Sequence, residues 1–272
     1  MKHLLLIASA FLLLNTISTI AQPKAPNGMT WEKVENLSDD FDIWDAEKWE
    51  HSLWNYEAPV MMTKKNVGVS NGNLWIKATL GQDEERWFET GRVMSKEKIG
   101  FPMYTECRIK ASYISAFTTY WLNNGNSRNR DEIDVCEHNT KPSWPNMEDR
   151  PYIMYSQYFI VVNNDTERDN GNFDNRNLSK KNSAQGKMWH EEYQVLGCYW
   201  KNEHDVVFYI NGEEAGSVTS TRKYTRKLNI IWDLWTSEHQ WTGGIAAKED
   251  LSDDSINTMY VDWIKTYKLV EK

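Results

Sequence analysis

Hydrophobic and polar residues alternate along most of the chain, in short segments separated by turn residues. Alternation with a period of two predicts half-buried β-strands. Five segments show it: VGVSNGNLWIKATL (67–80), YTECRIKASY (104–113), EYQVLGCYW (192–200), VVFYINGEEAGSV (206–218) and MYVDWIKTYKLV (259–270). Asn71-Gly72 and Asn211-Gly212 each lie between two such runs and predict tight hairpins, because both residue types tolerate positive φ. Helical periodicity is scarce, so the pattern predicts an all-β chain.

Many short strands with turns between them favour a sandwich or a barrel. No internal repeat, low-complexity tract or Pro/Gly-rich linker divides the chain, so residues 22–272 are predicted to form one domain. The polar stretch 163–187 lacks alternation and is predicted to be a long surface loop. Loops of that length in compact domains are often functional, although a solvated insertion without a role fits equally.

The amino-terminal segment has the pattern of an export signal. An apolar run over 4–14 follows a basic start and is too short to span a bilayer. The small residues Thr19 and Ala21 suit cleavage before Gln22. We therefore predict a signal peptide over 1–21 and a secreted or periplasmic protein, with an uncleaved anchor as the alternative. No later stretch is apolar enough for a membrane helix.

Composition narrows the function classes. The net charge of -8 argues against binding of nucleic acid. An odd, sparse set of cysteines is no disulfide framework, so buried free thiols are expected at Cys107, Cys136 and Cys198, with one bridged pair as the alternative. The 14 tryptophans and 13 tyrosines are many for 272 residues. Aromatic rings that stack on the apolar faces of sugars would account for them.

The segment DEIDVCEH (131–138) concentrates carboxylates on one predicted strand. Glu132 and Asp134 share one face, and the apolar residues Ile133 and Val135 share the other. Glu137 is out of phase with both. A β-bulge within 135–136 would return Glu137 to the same face, and bulges are frequent beside active sites. A solvated sheet edge is the alternative, but the apolar opposite face and the aromatic neighbouring segments argue against it.

A carboxylate cluster in an aromatic cleft suits glycoside hydrolysis. One acid attacks the anomeric carbon, and another protonates the leaving oxygen. Retaining chemistry places the two carboxyl groups about 5–5.5 Å apart. A concave sheet could bring Glu132 and Glu137 together, with Asp134 between them helping to hold opposite protonation states.

The spacing Glu-x-Asp-x-x-Glu resembles the signature of glycoside hydrolase family 16. Five further stretches resemble landmarks of that family in the right order: LSDDFDIWDAEKWE (37–50), GRVMSKEKIGFPMYTECRIKAS (91–112), TTYWLNN (118–124), MWHEEYQVLGCYWKNEHDVVFYINGE (188–213) and MYVDWIKTYK (259–268). The resemblance implies an all-β sandwich, a jelly roll of the concanavalin or lectin type with a concave substrate cleft. It also implies an endo-acting hydrolase that needs no cofactor for catalysis.

By this resemblance Glu132 is the nucleophile, Glu137 is the general acid/base, and Asp134 orients Glu132. Trp121 would form the floor of the subsite for the attacked sugar, with a core tryptophan as the alternative. His138 would contact substrate or tune Glu137, and a simple packing role is an equal alternative.

The stretch NNGNSRNR (123–130) resembles the branch of the family that acts on red-algal galactans: agarases, porphyranases and κ-carrageenases. Porphyran is partly sulfated, and planar guanidinium groups suit sulfate. Arg128 and Arg130 are therefore candidate sulfate contacts, with pairing to neighbouring acids as the alternative. Porphyran is ranked first and agarose second.

Further substrate contacts are predicted from two other stretches. SLWNYEAPVMM contributes Trp54, and IIWDLWTSEHQW contributes Trp235, Glu238, His239 and Trp241. Because the second stretch departs from the one expected in agarases, it weakens the case for agarose.

The resemblance also implies a structural calcium away from the cleft, held by the Asp262 carboxylate and a backbone oxygen near Gly72. The expected partner is a polysaccharide substrate, without nucleic acid or a membrane span, and a monomer is expected.

Two rival functions stay open. A lectin-like jelly roll would bind glycans without cleaving them, and a transglycosylase would pass the same intermediate to a sugar acceptor.

Overall fold

The computed structural model describes residues 22–272, so the predicted signal peptide lies outside it. Within this range no helix is long and apolar enough to cross a membrane. The strands are β1 Met29–Lys33, β2 Trp49–His51, β3 Val60–Met62, β4 Val67–Ser70, β5 Asn73–Lys77, β6 Thr79–Leu80, β7 Phe88–Thr90, β8 Arg92–Ser95, β9 Met103–Lys110, β10 Phe117–Gly125, β11 Arg130–His138, β12 Ile153–Val162, β13 Asp165–Asp174, β14 Gln194–Trp200, β15 Asp205–Ile210, β16 Glu213–Thr219, β17 Asn229–Trp235 and β18 Thr258–Glu271. The short 3-10 helices are Glu35–Leu37, Lys64–Asn66, Arg150–Tyr152, Asn175–Asn177, Gln240–Thr242 and Glu249–Ser252.

Two antiparallel sheets form the sandwich. The cleft sheet has the order β13-β12-β11-β10-β17-β8-β2. The outer sheet has the order β16-β15-β14-β9-β18-β5-β4, and β1 also pairs with β18. A small third sheet joins β3, β7 and β6. The all-β chain expected from the alternating pattern and the sandwich implied by the family resemblance are both confirmed.

Apolar side chains from both sheets form a continuous core between them. Leu122 and Ile133 of the cleft sheet, and Cys107 and Ile264 of the outer sheet, have no solvent exposure. This arrangement explains the alternation, because every second residue of a strand faces the opposite sheet. All three cysteines are buried and free, as expected from their number.

Both predicted hairpins are present. Asn71 and Gly72 have φ values of 53° and 70° and join β4 to β5. Asn211 and Gly212 have φ values of 49° and 79° and join β15 to β16. These positive φ values at both central residues are what a two-residue hairpin turn requires.

The loop predicted over 163–187 is wrong in its first half. Residues 165–174 form β13, the edge strand of the cleft sheet, which pairs with β12 from Ile153↔Asp174 to Val162↔Asp165. Its side chains are mostly exposed on both faces, so no apolar alternation marks it. Backbone pairing with β12 makes it a strand, and that pairing leaves no trace in the hydrophobic pattern.

We expect the core of the cleft sheet to dominate the free energy of unfolding. Leu122→Ala on β10 removes a fully buried side chain and should cost about 2–5 kcal/mol. Leu80→Ala is the matched control, because Leu80 is 52% exposed and its loss should cost less than about 0.5 kcal/mol. Denaturant unfolding of both variants measures the difference, and equal costs would contradict the core described above.

Candidate active site

A cleft of about 1050 Å³ lies over the middle of the cleft sheet. Side chains from β10, β11, β12, β13 and β17 line it, together with residues of the loop 52–59 and Trp241. The acid-rich strand β11 lies between β10 and β12. The cleft is therefore built mainly on paired strands, which hold side chains more rigidly than loops do.

Strand β11 contains a β-bulge where the phase of the acids required one. Tyr120 of β10 pairs with Cys136, but its neighbour Trp121 pairs with Asp134. Val135 is therefore an extra residue on β11 without a partner on β10. The bulge predicted within 135–136 is confirmed.

The bulge brings the three acids to one face. Glu132, Asp134 and Glu137 all line the cleft. Val135 and Cys136, which are consecutive, both lie in the hydrophobic core. Two consecutive core residues are possible only because the bulge interrupts the period of two.

Glu132 has partners that stabilise its negative charge. Asn123, its pairing neighbour on β10, donates a hydrogen bond to Oε2. Arg130 Nε donates to the same oxygen at 3.1 Å. Burial raises the pKa of Glu132, while the Arg130 charge and the Asn123 hydrogen bond oppose that rise.

Glu137 lies in a different environment. Its Oε2 accepts a hydrogen bond from the neutral amide of Gln157 at 2.7 Å. Burial, followed by the charges of Glu132 and Asp233, raises the pKa of Glu137 to about 8. Glu137 therefore holds a proton at neutral pH, as a general acid must.

Asp134 lies between the two glutamates along the strand. Burial, then the charges of Glu132 and Glu137, hold the pKa of Asp134 well above its usual range. Crowded carboxyl groups do not all ionise, because like charges oppose each other's ionisation. The contacts thus favour an ionised Glu132 beside a protonated Glu137, the asymmetry that acid and nucleophile roles require.

A row of polar side chains crosses the cleft sheet from Glu137. Thr119 on β10 pairs with Glu137 on one side and with Asp233 of β17 on the other. Asp233 pairs with Arg92 of β8, and Arg92 Nε donates to Asp233 Oδ2 at 2.6 Å with both side chains fully buried. Thr119 Oγ1 donates to the other oxygen of Asp233. Sequence reasoning missed Asp233 and Arg92, although an acid within the otherwise apolar IIWDLW (230–235) was a signal.

Five aromatic rings form a row along the cleft, which we call the aromatic row. Ring centroids are 6.4 Å apart for Trp121 and Trp54, 4.9 Å for Trp54 and Tyr56, 4.5 Å for Tyr56 and Trp235, and 5.7 Å for Trp235 and Trp241. All five line the cleft. The four predicted tryptophans are therefore brought together, and Tyr56 is a member that the sequence did not reveal.

The arginines that line the cleft are not the pair predicted from the sequence. Arg130 lines the cleft, but its guanidinium is held by Glu132. Arg128 is exposed and is not among the lining residues, which corrects its predicted place. Arg168 of β13 lines the cleft instead, and its guanidinium and that of Arg130 each lie 5.4 Å from the Phe159 ring. Sequence reasoning missed Arg168 because its strand was predicted to be a loop.

Three other predicted contacts are not among the residues that line the cleft. His138 is 2% exposed and stacks on Trp189 at 4.3 Å, and burial lowers its pKa to about 3. One step beyond Glu137 the strand faces the interior again, so the packing alternative for His138 fits and a substrate contact does not. Glu238 is exposed and does not line the cleft. His239 is also exposed, and its Nε2 lies 2.8 Å from Glu57, which does line the cleft.

The carboxylate predicted to hold calcium has another partner in this structure. Arg108 Nη1 donates to Asp262 Oδ2 at 2.5 Å, so a cation already occupies this carboxylate. Gly72 lies in the β4–β5 turn. Within residues 22–272 no group of three or more His, Cys, Asp or Glu side chains is placed to hold a metal. The calcium site stays a prediction that the Arg108 contact argues against.

Known proteins resemble this chain along most of its length. Residues 31–269 match the family described as Beta-porphyranase A-D, GH16 domain. β-Agarase AgaB34 from Agarivorans albus is 28% identical over 89% of this chain, which spans 57% of that protein. β-Porphyranase E from Zobellia galactanivorans is 28% identical over 90% of this chain and 90% of its own length. The chain thus spans little more than half of the agarase but most of the porphyranase.

Two solved structures share the fold. Porphyranase B from Zobellia galactanivorans has a TM-score of 0.75 and 21% identity, over 92% of this chain and 97% of its own. β-Agarase A in complex with oligoagarose has a TM-score of 0.76 and 24% identity, over 94% of this chain and 98% of its own. At these identities the likeness establishes the jelly-roll fold alone. The family match over 31–269 goes further, and it shows that this chain belongs to the β-porphyranase A–D domain family of glycoside hydrolase family 16.

Proposed function

We propose that this protein is a secreted, endo-acting, retaining glycoside hydrolase that cleaves β-1,4 galactosidic bonds of a red-algal galactan. One observation carries the proposal. Glu132, Asp134 and Glu137 share one cleft face, and only Glu132 is hydrogen-bonded to a cation. Secretion is supported by the amino-terminal pattern and by a relative named extracellular agarase from Streptomyces coelicolor.

The two glutamates would divide the reaction. Glu132 attacks the anomeric carbon while Glu137 gives its proton to the leaving oxygen, which forms a glycosyl ester on Glu132. Glu137 then removes a proton from water, and the water hydrolyses that ester with net retention. Asp134 limits the charge next to Glu132, because its own pKa is raised. A sugar in place of water would give transglycosylation through the same intermediate.

We rank porphyran ahead of agarose as substrate. Curated relatives of this chain carry both names, so kinship alone does not choose between them. Arg130 and Arg168 flank Phe159 at one part of the cleft and offer guanidinium groups to a sulfate. Bidentate guanidinium contacts suit such an anion, whereas neutral agarose would leave Arg168 without a charged partner.

Removing either catalytic carboxyl should abolish cleavage and leave the fold intact. Glu132→Gln and Glu137→Gln keep the side-chain shape but remove the nucleophile or the proton donor, so kcat should fall by about 10³-fold or more. Reducing-end release from porphyran and from agarose measures the loss. Full activity in either variant would refute its role, and galactan binding without cleavage by the wild type would favour a lectin.

Arg168→Ala should reduce kcat/KM on porphyran by tenfold or more, about 1.5 kcal/mol, the worth of a charge-assisted hydrogen bond. The same variant should keep its activity on neutral agarose. Arg128→Ala is the matched control, because Arg128 lies outside the cleft lining. Arg130→Ala should lower kcat/KM on both substrates, because Arg130 also forms an ion pair with Glu132. An equal loss of kcat/KM on both substrates in Arg168→Ala would contradict sulfate recognition. Release of oligosaccharides from laminarin alone by the wild type would exclude a red-algal substrate.

The alkaline limit of activity should follow the proton on Glu137. Because the pKa of Glu137 is raised to about 8, kcat/KM should fall as pH rises through that value. Asp233→Asn removes one of the charges that raise this pKa, so the limit should move to lower pH. Asp262→Asn removes a carboxylate that pairs with Arg108 on the outer sheet, and it should leave the limit in place. An unmoved limit in a folded Asp233→Asn variant would contradict the coupling.

A further inference from the structure

The two most exposed members of the aromatic row lie on irregular segments. Trp54 is 49% exposed in the loop 52–59, and Trp241 is 57% exposed in the 3-10 helix Gln240–Thr242. Neither backbone is held by a strand ladder at these positions. Stacking on a sugar requires a ring in a fixed plane, so something else must hold these two segments.

Arg92 holds the first tryptophan. Its Nη1 donates to the carbonyl oxygen of Trp54 at 2.6 Å, and its guanidinium lies 3.5 Å from the centroid of the same ring. The guanidinium also lies 4.7 Å from the centroid of Tyr56, whose hydroxyl donates to Asp233 at 3.1 Å. One fully buried side chain on β8 thus fixes both the backbone and the ring plane of Trp54.

Arg150 holds the backbone of the second tryptophan and reaches its ring through Phe117. Its side chain is 7% exposed, and its Nη2 donates to the carbonyl oxygen of Trp241. The guanidinium lies 5.3 Å from the ring of Phe117, which itself packs on Trp241 at 5.8 Å. Gly243 follows with φ of 90°, and a Cβ there would come within 2.9 Å of Arg150 Nε. The chain can turn closely over the guanidinium only because this residue is glycine.

Stability alone does not explain Arg150. Its hydrogen-bond acceptors are the Trp241 carbonyl and the Tyr155 hydroxyl, at 3.4 Å for the latter, and both are neutral. The charge of Glu137 would attract the guanidinium, but Glu137 holds a proton at neutral pH. A buried cation with neutral neighbours is costly, because no ion pair offsets its desolvation. A role in positioning a cleft residue would account for that cost.

We propose that Arg92 and Arg150 are positioning residues that hold Trp54 and Trp241 in place to stack on the galactan chain. The inference rests on the proposed function and adds to it two residues that do not touch substrate. Arginine is required because one planar group must donate to a carbonyl and lie against an aromatic ring at the same time. Lysine keeps the charge but has no plane to stack.

Double-mutant cycles on binding test the proposal. Arg92→Lys keeps a positive charge beside Asp233, so the assay is run at a pH below the pKa of Glu137, where that residue stays protonated. Under these conditions Arg92→Lys should raise KM for porphyran and agarose oligosaccharides about tenfold and change kcat by less than about twofold, because uniform binding is lost rather than chemistry. Trp54→Ala should raise KM at least as much. The double variant should be no worse than Trp54→Ala alone, since Arg92 would act through Trp54. Independent, additive effects would overturn the proposal, and so would a loss confined to kcat.

Arg150→Lys with Trp241→Ala forms the second cycle and carries the test if Arg92→Lys does not fold. Arg176→Lys is the matched control, because its guanidinium lies 5.0 Å from the Tyr152 ring and pairs with Asp174 away from the cleft. This control should leave KM unchanged. A comparable rise in KM for the control would show that the arginine variants act through general stability.

Acrylamide quenching of tryptophan fluorescence without galactan separates the two proposals. Arg92→Lys should increase quenching, and a Trp54→Phe background should remove that increase, because the freed ring would be Trp54. If the wild type cleaves no galactan but quenching responds this way, the proposed function fails and the positioning role stands. If the wild type cleaves galactan while quenching and KM do not respond, the positioning role alone is overturned.

Discussion

The extra residue in β11 is the constraint on which the rest of the site depends. A strand alternates its side chains with a period of two, so a regular β11 would send Glu137 into the core. The unpaired Val135 shifts the phase by one, and Glu132, Asp134 and Glu137 then meet in the cleft while Val135 and Cys136 complete the core. A single insertion in the pairing therefore serves packing and chemistry together.

Burial and mutual repulsion oppose ionisation of the three acids, and the surrounding residues stabilise the charge of Glu132 more than that of Glu137. Burial raises the pKa of each acid, and only Glu132 receives a hydrogen bond from a cation, Arg130. Glu137 receives a neutral amide and the repulsion of Glu132 and Asp233. Repulsion therefore leaves Glu137 protonated beside Glu132, which is the arrangement that the proposed acid and nucleophile roles require.

The cleft combines a rigid floor with walls from irregular segments. Acids and arginines on paired strands keep their positions through the sheet, whereas Trp54 and Trp241 lie where no ladder holds the backbone. Arg92 joins these two levels, because it bonds to Asp233 in the sheet and to the Trp54 carbonyl in the loop. Arg92 thus links Trp54 of the aromatic row to Asp233, whose charge raises the pKa of Glu137.

The sequence by itself determined the strands with an apolar face, the Asn-Gly hairpins, the bulge and the acid cluster, because each follows from local periodicity or turn chemistry. Only the tertiary structure decided the features that depend on partners distant in the chain. Strand β13 exists through its pairing with β12, and that pairing brings Arg168 into the cleft in place of Arg128. Asp233 reaches Glu137 only across β10, since neighbours across a sheet carry no fixed spacing in sequence.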